Sequence, residues 1–203
     1  MAKNTRGAVS RRAYARIRRD ILAGTHAPGS LLSENELAAD LGISRTPVRT
    51  ALSRLQDEGW IRIYPQRGAL VRELTEVEIR EAAQARHALE TAGVMRASQE
   101  RLGELTDGLP DEIARQRSAL TAGDFATFNE LSGEFHRAFV ALAGNATMLE
   151  LYDRLQDRMM LATARSAADI TESPDSALDE HAGLARAAAD GDWVEFARLL
   201  DLH

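Results

Sequence analysis

The sequence predicts a mainly α protein in two unequal parts, a small N-terminal head with a two-stranded wing and a larger C-terminal body built of helices alone. Three observations predict it. Residues 1–74 carry 13 Lys+Arg against 7 Asp+Glu, whereas residues 75–203 carry 12 against 24, so a basic segment precedes an acidic one. Between Ser33 and Val71, two short amphipathic helices meet at Gly42, and a helix stopped by Gly59 feeds a hairpin. From Thr75 onward the apolar residues recur only at helical spacing.

Composition narrows the class further. An apolar content of 44% is ample for a core. No run approaches the ~18 apolar residues of a membrane span, and the N-terminus lacks a secretory apolar segment, so a cytoplasmic protein is expected. The absence of cysteine excludes disulfides and thiolate metal sites.

The polar residues 1–10 read as a flexible arm, and residues 11–74 as the head. In its first helix Tyr14, Ile17, Ile21 and Leu22 share a face, and Gly24 ends it. Ser33-x-x-Glu36 reads as a capping box opening the second helix, whose apolar face is Leu37, Ala38 and Leu41. Gly42 turns the chain, and Ser44 caps a third helix that tolerates Pro47 in its first turn. Val48, Leu52 and Leu55 face inward. Trp60–Tyr64 and Ala69–Arg72 read as strands joined through Pro65-Gln-Arg-Gly68. A second box, Thr75-x-x-Glu78, opens the all-helical body at residues 75–203. Its expected helices are 76–102, 110–122, 125–143, 147–168, 176–190 and 193–203.

A turn between two helices followed by a hairpin is the outline of a winged helix-turn-helix, which reads double-stranded DNA. Arg45 and Arg49 lie four apart on one face of the third helix, flanked by Thr46 and Thr50. An arginine presents paired donors matching guanine O6 and N7. Ser44 and Thr46 suit phosphates, and Arg67-Gly68 brings a cation and bare backbone to the hairpin tip. The plainer reading of the arginines is a solvated helix face, which their place beside the turn and hairpin argues against.

These residues carry a resemblance. Gly42-Ile-Ser-Arg-Thr-Pro-Val-Arg49, Ala51-Leu52 through Gly59, and Arg67-Gly68-Ala-x-Val71 resemble the signature of the GntR family of bacterial transcriptional regulators. The resemblance implies DNA contacts from Arg45, Thr46, Arg49 and Gly68. Asn35 departs from it, standing where the family often has arginine. Arg86-x-x-x-Glu90, Phe135-His136, Gly144-Asn145, Glu180-His181, Gly191-Asp192 and Leu202-His203 resemble, in order, the landmarks of the FCD-type effector domain of the FadR-like branch.

His136, His181 and His203 each sit on or beside an apolar face of a separate helix, whereas His26 and His87 read as surface residues. Spacing alone leaves open three unrelated histidines. The resemblance implies a divalent metal held by three histidines and an acid one turn before the first; here that position is Ser132. Zinc is the first expectation, with nickel or manganese behind it. The resemblance also implies an organic-acid or sugar-acid effector. Arg86 and Ser132 are its candidate contacts, and Arg137, Arg154 and Arg158 further ones; an intrahelical pair with Glu90 is the plainer reading of Arg86. The expectation is a homodimeric, cytoplasmic, ligand-controlled DNA-binding regulator, a repressor in type, that is not an enzyme and does not contact membranes. The rivals are a structural dimeric DNA binder without metal or effector and, remotely, a metal-dependent hydrolase.

Overall fold

The computed structural model describes the backbone of residues 2–203 and the side chains of residues 7–203. Among these residues it has ten helices and three strands. The head comprises α1 (Ala2–Leu22), β1 (Leu31–Leu32), α2 (Glu34–Asp40), α3 (Arg45–Asp57), β2 (Ile61–Tyr64) and β3 (Gly68–Val71). Helix α1 packs across α3, and Ile17, Ile21, Leu22, Val48, Leu52, Leu55 and Trp60 are buried between them and the sheet. Residues 2–10, expected as a flexible arm, continue the backbone of α1, which starts at Ala2 in a stretch free of proline. Met1 lies outside the described residues.

The sheet is also richer than expected. Its order is β1-β3-β2, all antiparallel, with Leu31 opposite Leu70 and Tyr64 opposite Gly68. Two residues of β1 are too few to show an alternating pattern, so the third strand has no sequence signal. Gly68 is needed where this strand pairs: a Cβ there would lie 2.5 Å from the Leu32 carbonyl oxygen, and its φ is +108°.

The capping residues divide by function. The Thr75 hydroxyl accepts from the Glu78 amide and the Glu78 carboxylate accepts from the Thr75 amide, closing the full box. Ser33 accepts from the Glu36 amide, which is its own half of a box. Ser44 occupies the N-cap of α3 in extended backbone but makes no side-chain cap bond, so its expected capping role is corrected and its hydroxyl is uncommitted.

The body comprises α4 (Glu76–Met95), α5 (Gln99–Thr121), α6 (Phe125–Ala141), α7 (Ala146–Arg165), α8 (Ala167–Glu172), α9 (Pro174–Ala189) and α10 (Trp193–Leu202). Helix α6 packs against α4, α5 and α7 and buries Phe128, Leu131, Phe135, Phe139 and Val140. The expected single helix 76–102 divides at residues 96–98, where Ser98 caps α5 through the Arg101 amide. The expected break at Gly108-Leu-Pro110 does not occur. Leu102, Leu105, Leu109 and Ile113 form one continuous stripe into the core, and its burial overrides the local cost of glycine and proline. Helix α4 approaches α6 closely at Gly93, where a Cβ would stand 2.0 Å from the Phe139 carbonyl oxygen. This contact sets the distance between Glu90 on α4 and His136 on α6.

Candidate functional site

On the head, Ser44, Arg45, Thr46 and Arg49 are all exposed on the outward side of α3, opposite buried Val48, Ala51, Leu52 and Leu55. Arg67 is exposed at the wing tip, after Gln66 with φ +63°. The two arginines of α3 are not free cations. Arg49 donates from Nε and Nη2 to the two oxygens of Glu34 at 3.2 and 2.9 Å, and Arg45 Nη2 donates to the same carboxylate at 3.3 Å. The Arg49 hydrogen bond is the first cause holding the Glu34 carboxyl below its ordinary range. Sequence reasoning missed Glu34, because nothing in spacing shows that the start of α2 faces α3.

In the body, His136 from α6, His181 from α9 and His203 after α10 converge. One ring nitrogen of each lies within 4.8 Å of the others. Each Nδ1 is engaged outward: His136 with Glu90 Oε2 at 2.9 Å, His181 with Gln116 Oε1 at 2.6 Å, and His203 with Glu180 Oε2 at 2.6 Å. Gln116 Oε1 and the ionised Glu180 accept, so the Nδ1 atoms of His181 and His203 carry the hydrogen and their Nε2 atoms keep a lone pair, whereas the His136 tautomer follows the protonation of Glu90. The Nε2 atoms of His136 and His203 then face one another at 3.1 Å. With Glu90 protonated, a hydrogen on His136 Nε2 bridges this pair; with Glu90 ionised and donating nothing, the two lone pairs face one point that suits a cation. Nitrogens bound at ~2.0–2.1 Å to a tetrahedral zinc would stand roughly 3.3 Å apart. The donor set therefore fits a borderline divalent ion.

Burial pushes His136 and His181 well below the ordinary histidine range, with Arg86 and His203 adding to the shift. The rings are neutral at neutral pH, as metal ligation requires. Burial, opposed by Arg86 and a Tyr152 hydrogen bond, raises Glu90 to about 8. Glu90 and Gln116 are fully buried and were missed as partners, although Arg86-x-x-x-Glu90 placed Glu90 on the right helix.

Beside the imidazoles lies a cavity of about 1010 Å³, lined near them by Arg86, Phe128, Ser132 and His87 and at its far end by Glu76, Arg165 and Ser166. Arg86 stands 3.6 Å from Glu90, an ion pair too long for a hydrogen bond, and its Nε is buried with no acceptor. His87, expected at the surface, lines this cavity and contacts the Ala197 carbonyl through Nε2. Arg137 is instead paired with Asp153, and neither it nor Arg154 nor Arg158 lines the cavity. Ser132 sits one turn before His136 and also borders a hole of about 10 Å³, close to the size of one water.

A winged helix-turn-helix joined to a helical bundle that carries a histidine-lined cavity defines a class, the two-part DNA-binding transcriptional regulator. The chain belongs to the GntR family: residues 9–71 match the bacterial regulatory proteins of that family, and residues 81–203 match the FCD domain. It is 30% identical over 191 residues to the HTH-type transcriptional repressor RspR of Escherichia coli K12, covering 93% of this chain and 83% of that one. It is 31% identical to a probable D-xylose utilization operon transcriptional repressor of Paenarthrobacter nicotinovorans, covering 85% and 75%. A crystal structure of a GntR regulator from Rhodococcus sp. RHA1 shares the fold, with a TM-score of 0.73 at 24% identity over 95% of this chain and 92% of that one. Members of this family are transcriptional regulators, not enzymes. No helix among the described residues is long and apolar enough to cross a membrane.

Proposed function

We propose that the protein is a homodimeric repressor whose grip on a double-stranded operator is controlled by a small carboxylate bound in the helical body at a divalent metal. The observation that carries the effector reading is the convergence of three imidazoles beside a cavity lined by Arg86, whose Nε is buried without a hydrogen-bond acceptor. His136, His181 and His203 would hold the ion, zinc first and nickel or manganese behind it. Bound there, the ion supplies a Lewis-acidic corner for an anionic ligand. Arg86 adds a charge-assisted contact to the same ligand, and the Ser132 hydroxyl offers a neutral hydrogen bond. Because Ser132 supplies no negative charge, an acidic effector completes the site better than a neutral one.

On the head, Arg45 and Arg49 reach base edges, Ser44 and Thr46 reach phosphates, and Arg67 with Gly68 carries the wing to the sugar–phosphate edge. Repression is supported by the named roles of the relatives in Escherichia coli and Paenarthrobacter. Dimerisation is supported by exposed apolar residues on two helices that pack together, Ala85, Ala88 and Met95 of α4 and Leu151 of α7. A two-fold dimer would read an operator of two half-sites, in the bacterial cytoplasm where operators lie.

The test is elemental analysis of the purified protein, followed by thermal unfolding with zinc, with a panel of hydroxy acids and sugar acids, and with both. Co-purified metal and a ligand-dependent rise in melting temperature are expected, with operator affinity changed by the same ligand. A protein that takes up no metal, and whose operator affinity is indifferent to every acid, would instead be a structural dimeric DNA binder.

A further inference from the structure

We propose that Glu34 is a positioning residue that sets the discrimination between operator and bulk DNA, by fixing Arg45 and Arg49 and offsetting part of their charge. The inference rests on the reading of those two arginines as the DNA-contacting pair.

The geometry is specific. A guanidinium has two edges that can form paired hydrogen bonds, a side edge of Nε and Nη2 and an end edge of Nη1 and Nη2. The side edge of Arg49 is taken by Glu34, with Nε on Oε1 and Nη2 on Oε2. The end edge keeps an uncommitted Nη1 on an exposed side chain, and its spacing suits O6 and N7 of guanine. Arg45, one turn earlier, leans on Oε2 through a single Nη2 bond. One carboxylate thus ties together two long side chains on the exposed face of α3, and the rotamer freedom they would lose on docking is already reduced.

The electrostatic consequence separates two modes of binding. Non-specific affinity comes from cations that neutralise phosphates and release counterions. With Glu34 ionised among them, the two arginines present a net charge of about one rather than two, and any phosphate close to the pair meets the carboxylate as well. A guanine edge carries no net charge, so Glu34 repels it far less. The carboxylate therefore weakens contacts to backbone more than contacts to bases. Asn35 follows Glu34 on α2 and adds no cation to offset it.

The experiment uses the full chain and a duplex selected by the wild-type protein from a random-sequence library. Affinities for the selected duplex and for random duplex of equal length are measured across a salt series, for wild type, Glu34→Gln, Arg45→Ala/Arg49→Ala, and the triple variant. Glu34→Gln should bind random duplex several-fold to about tenfold tighter, with a salt slope steeper by up to about 0.9, the value for one added phosphate contact. Its ratio of specific to random affinity should fall about tenfold, and in the double-alanine background the Glu34→Gln effect should vanish. Glu34→Asp, which keeps the charge, should restore part of the ratio. Equal change on both duplexes, no change on random duplex, or an effect that persists without the arginines would overturn the role of Glu34. An undiminished grip of the double-alanine variant on the selected duplex would instead overturn the reading of Arg45 and Arg49. An unchanged melting temperature for Glu34→Gln shows that a fold defect is not being read.

Discussion

Glu90 and the histidines it faces have opposite effects on stability as pH changes. His136, His181 and His203 have folded-state affinities for protons below the ordinary value of 6.5, set first by burial. The unfolded chain therefore binds more protons below that pH, and stability falls as the solution is acidified. Glu90 is raised to about 8 from an ordinary 4.5. Between those values the folded state holds the extra proton, and stability falls as pH rises. Three histidines outweigh one carboxyl on the acid side, and Glu90 stands alone of the four on the alkaline side. The metal-free protein should therefore be most stable near pH 6.5–7, as read by thermal unfolding in a chelator. Glu90→Gln should flatten the alkaline limb and His136→Gln the acid limb. An added divalent ion should raise the melting temperature more at pH 8 than at pH 5.5, because protons compete for the same imidazoles.

The same site shows what a helix contributes as an element. Glu90 meets His136 only because α4 and α6 approach at Gly93, three residues further along α4. Gly93→Ala should force the helices apart, at a cost of about 1–3 kcal/mol or more from overpacking. Urea unfolding measures that cost, and zinc titration should show weaker uptake as the Glu90–His136 bond lengthens. Such contacts mark the limit of what the sequence makes legible. Capping at Thr75, the inward faces of α3 and α6 and the three histidines are visible in it, because each follows from periodicity or a local hydrogen bond. Glu34, Gln116 and Gly93 are not visible, because their roles come from a neighbouring helix placed by packing. Pro110 misleads for a related reason: its local signal is strong, but the stripe from Leu102 to Ile113 outweighs it.

At the scale of the molecule, the head does not hang freely from the body. Its core continues into Ala126 of α6 and Met160 and Leu161 of α7. Arg18 of α1 is the central polar tie: it donates to Glu130 of α6 at 2.7 Å, contacts the Met160 sulfur, and lies 4.9 Å from the Trp60 ring centroid. A second route runs past the cavity. Arg165 of its lining pairs with Glu76, in the first turn of α4 directly after the head, and a Cβ on Gly24 would rest 3.6 Å from that of Ala167 in α8. A ligand switches DNA binding only if it favours one head–body arrangement over another. Arg18 and Glu130 lie outside the cavity lining, so they allow transmission to be tested apart from ligand binding. Arg18→Ala should leave effector affinity within about twofold of wild type in calorimetry. The effector-induced change in operator affinity, expected in the typical range of about 5–150-fold, should shrink at least several-fold. Glu130→Gln should do the same more weakly, since Arg18 keeps its contacts with Trp60 and Met160. A full effector response in Arg18→Ala would place the coupling on the Glu76–Arg165 side, where Glu76→Gln should then abolish it.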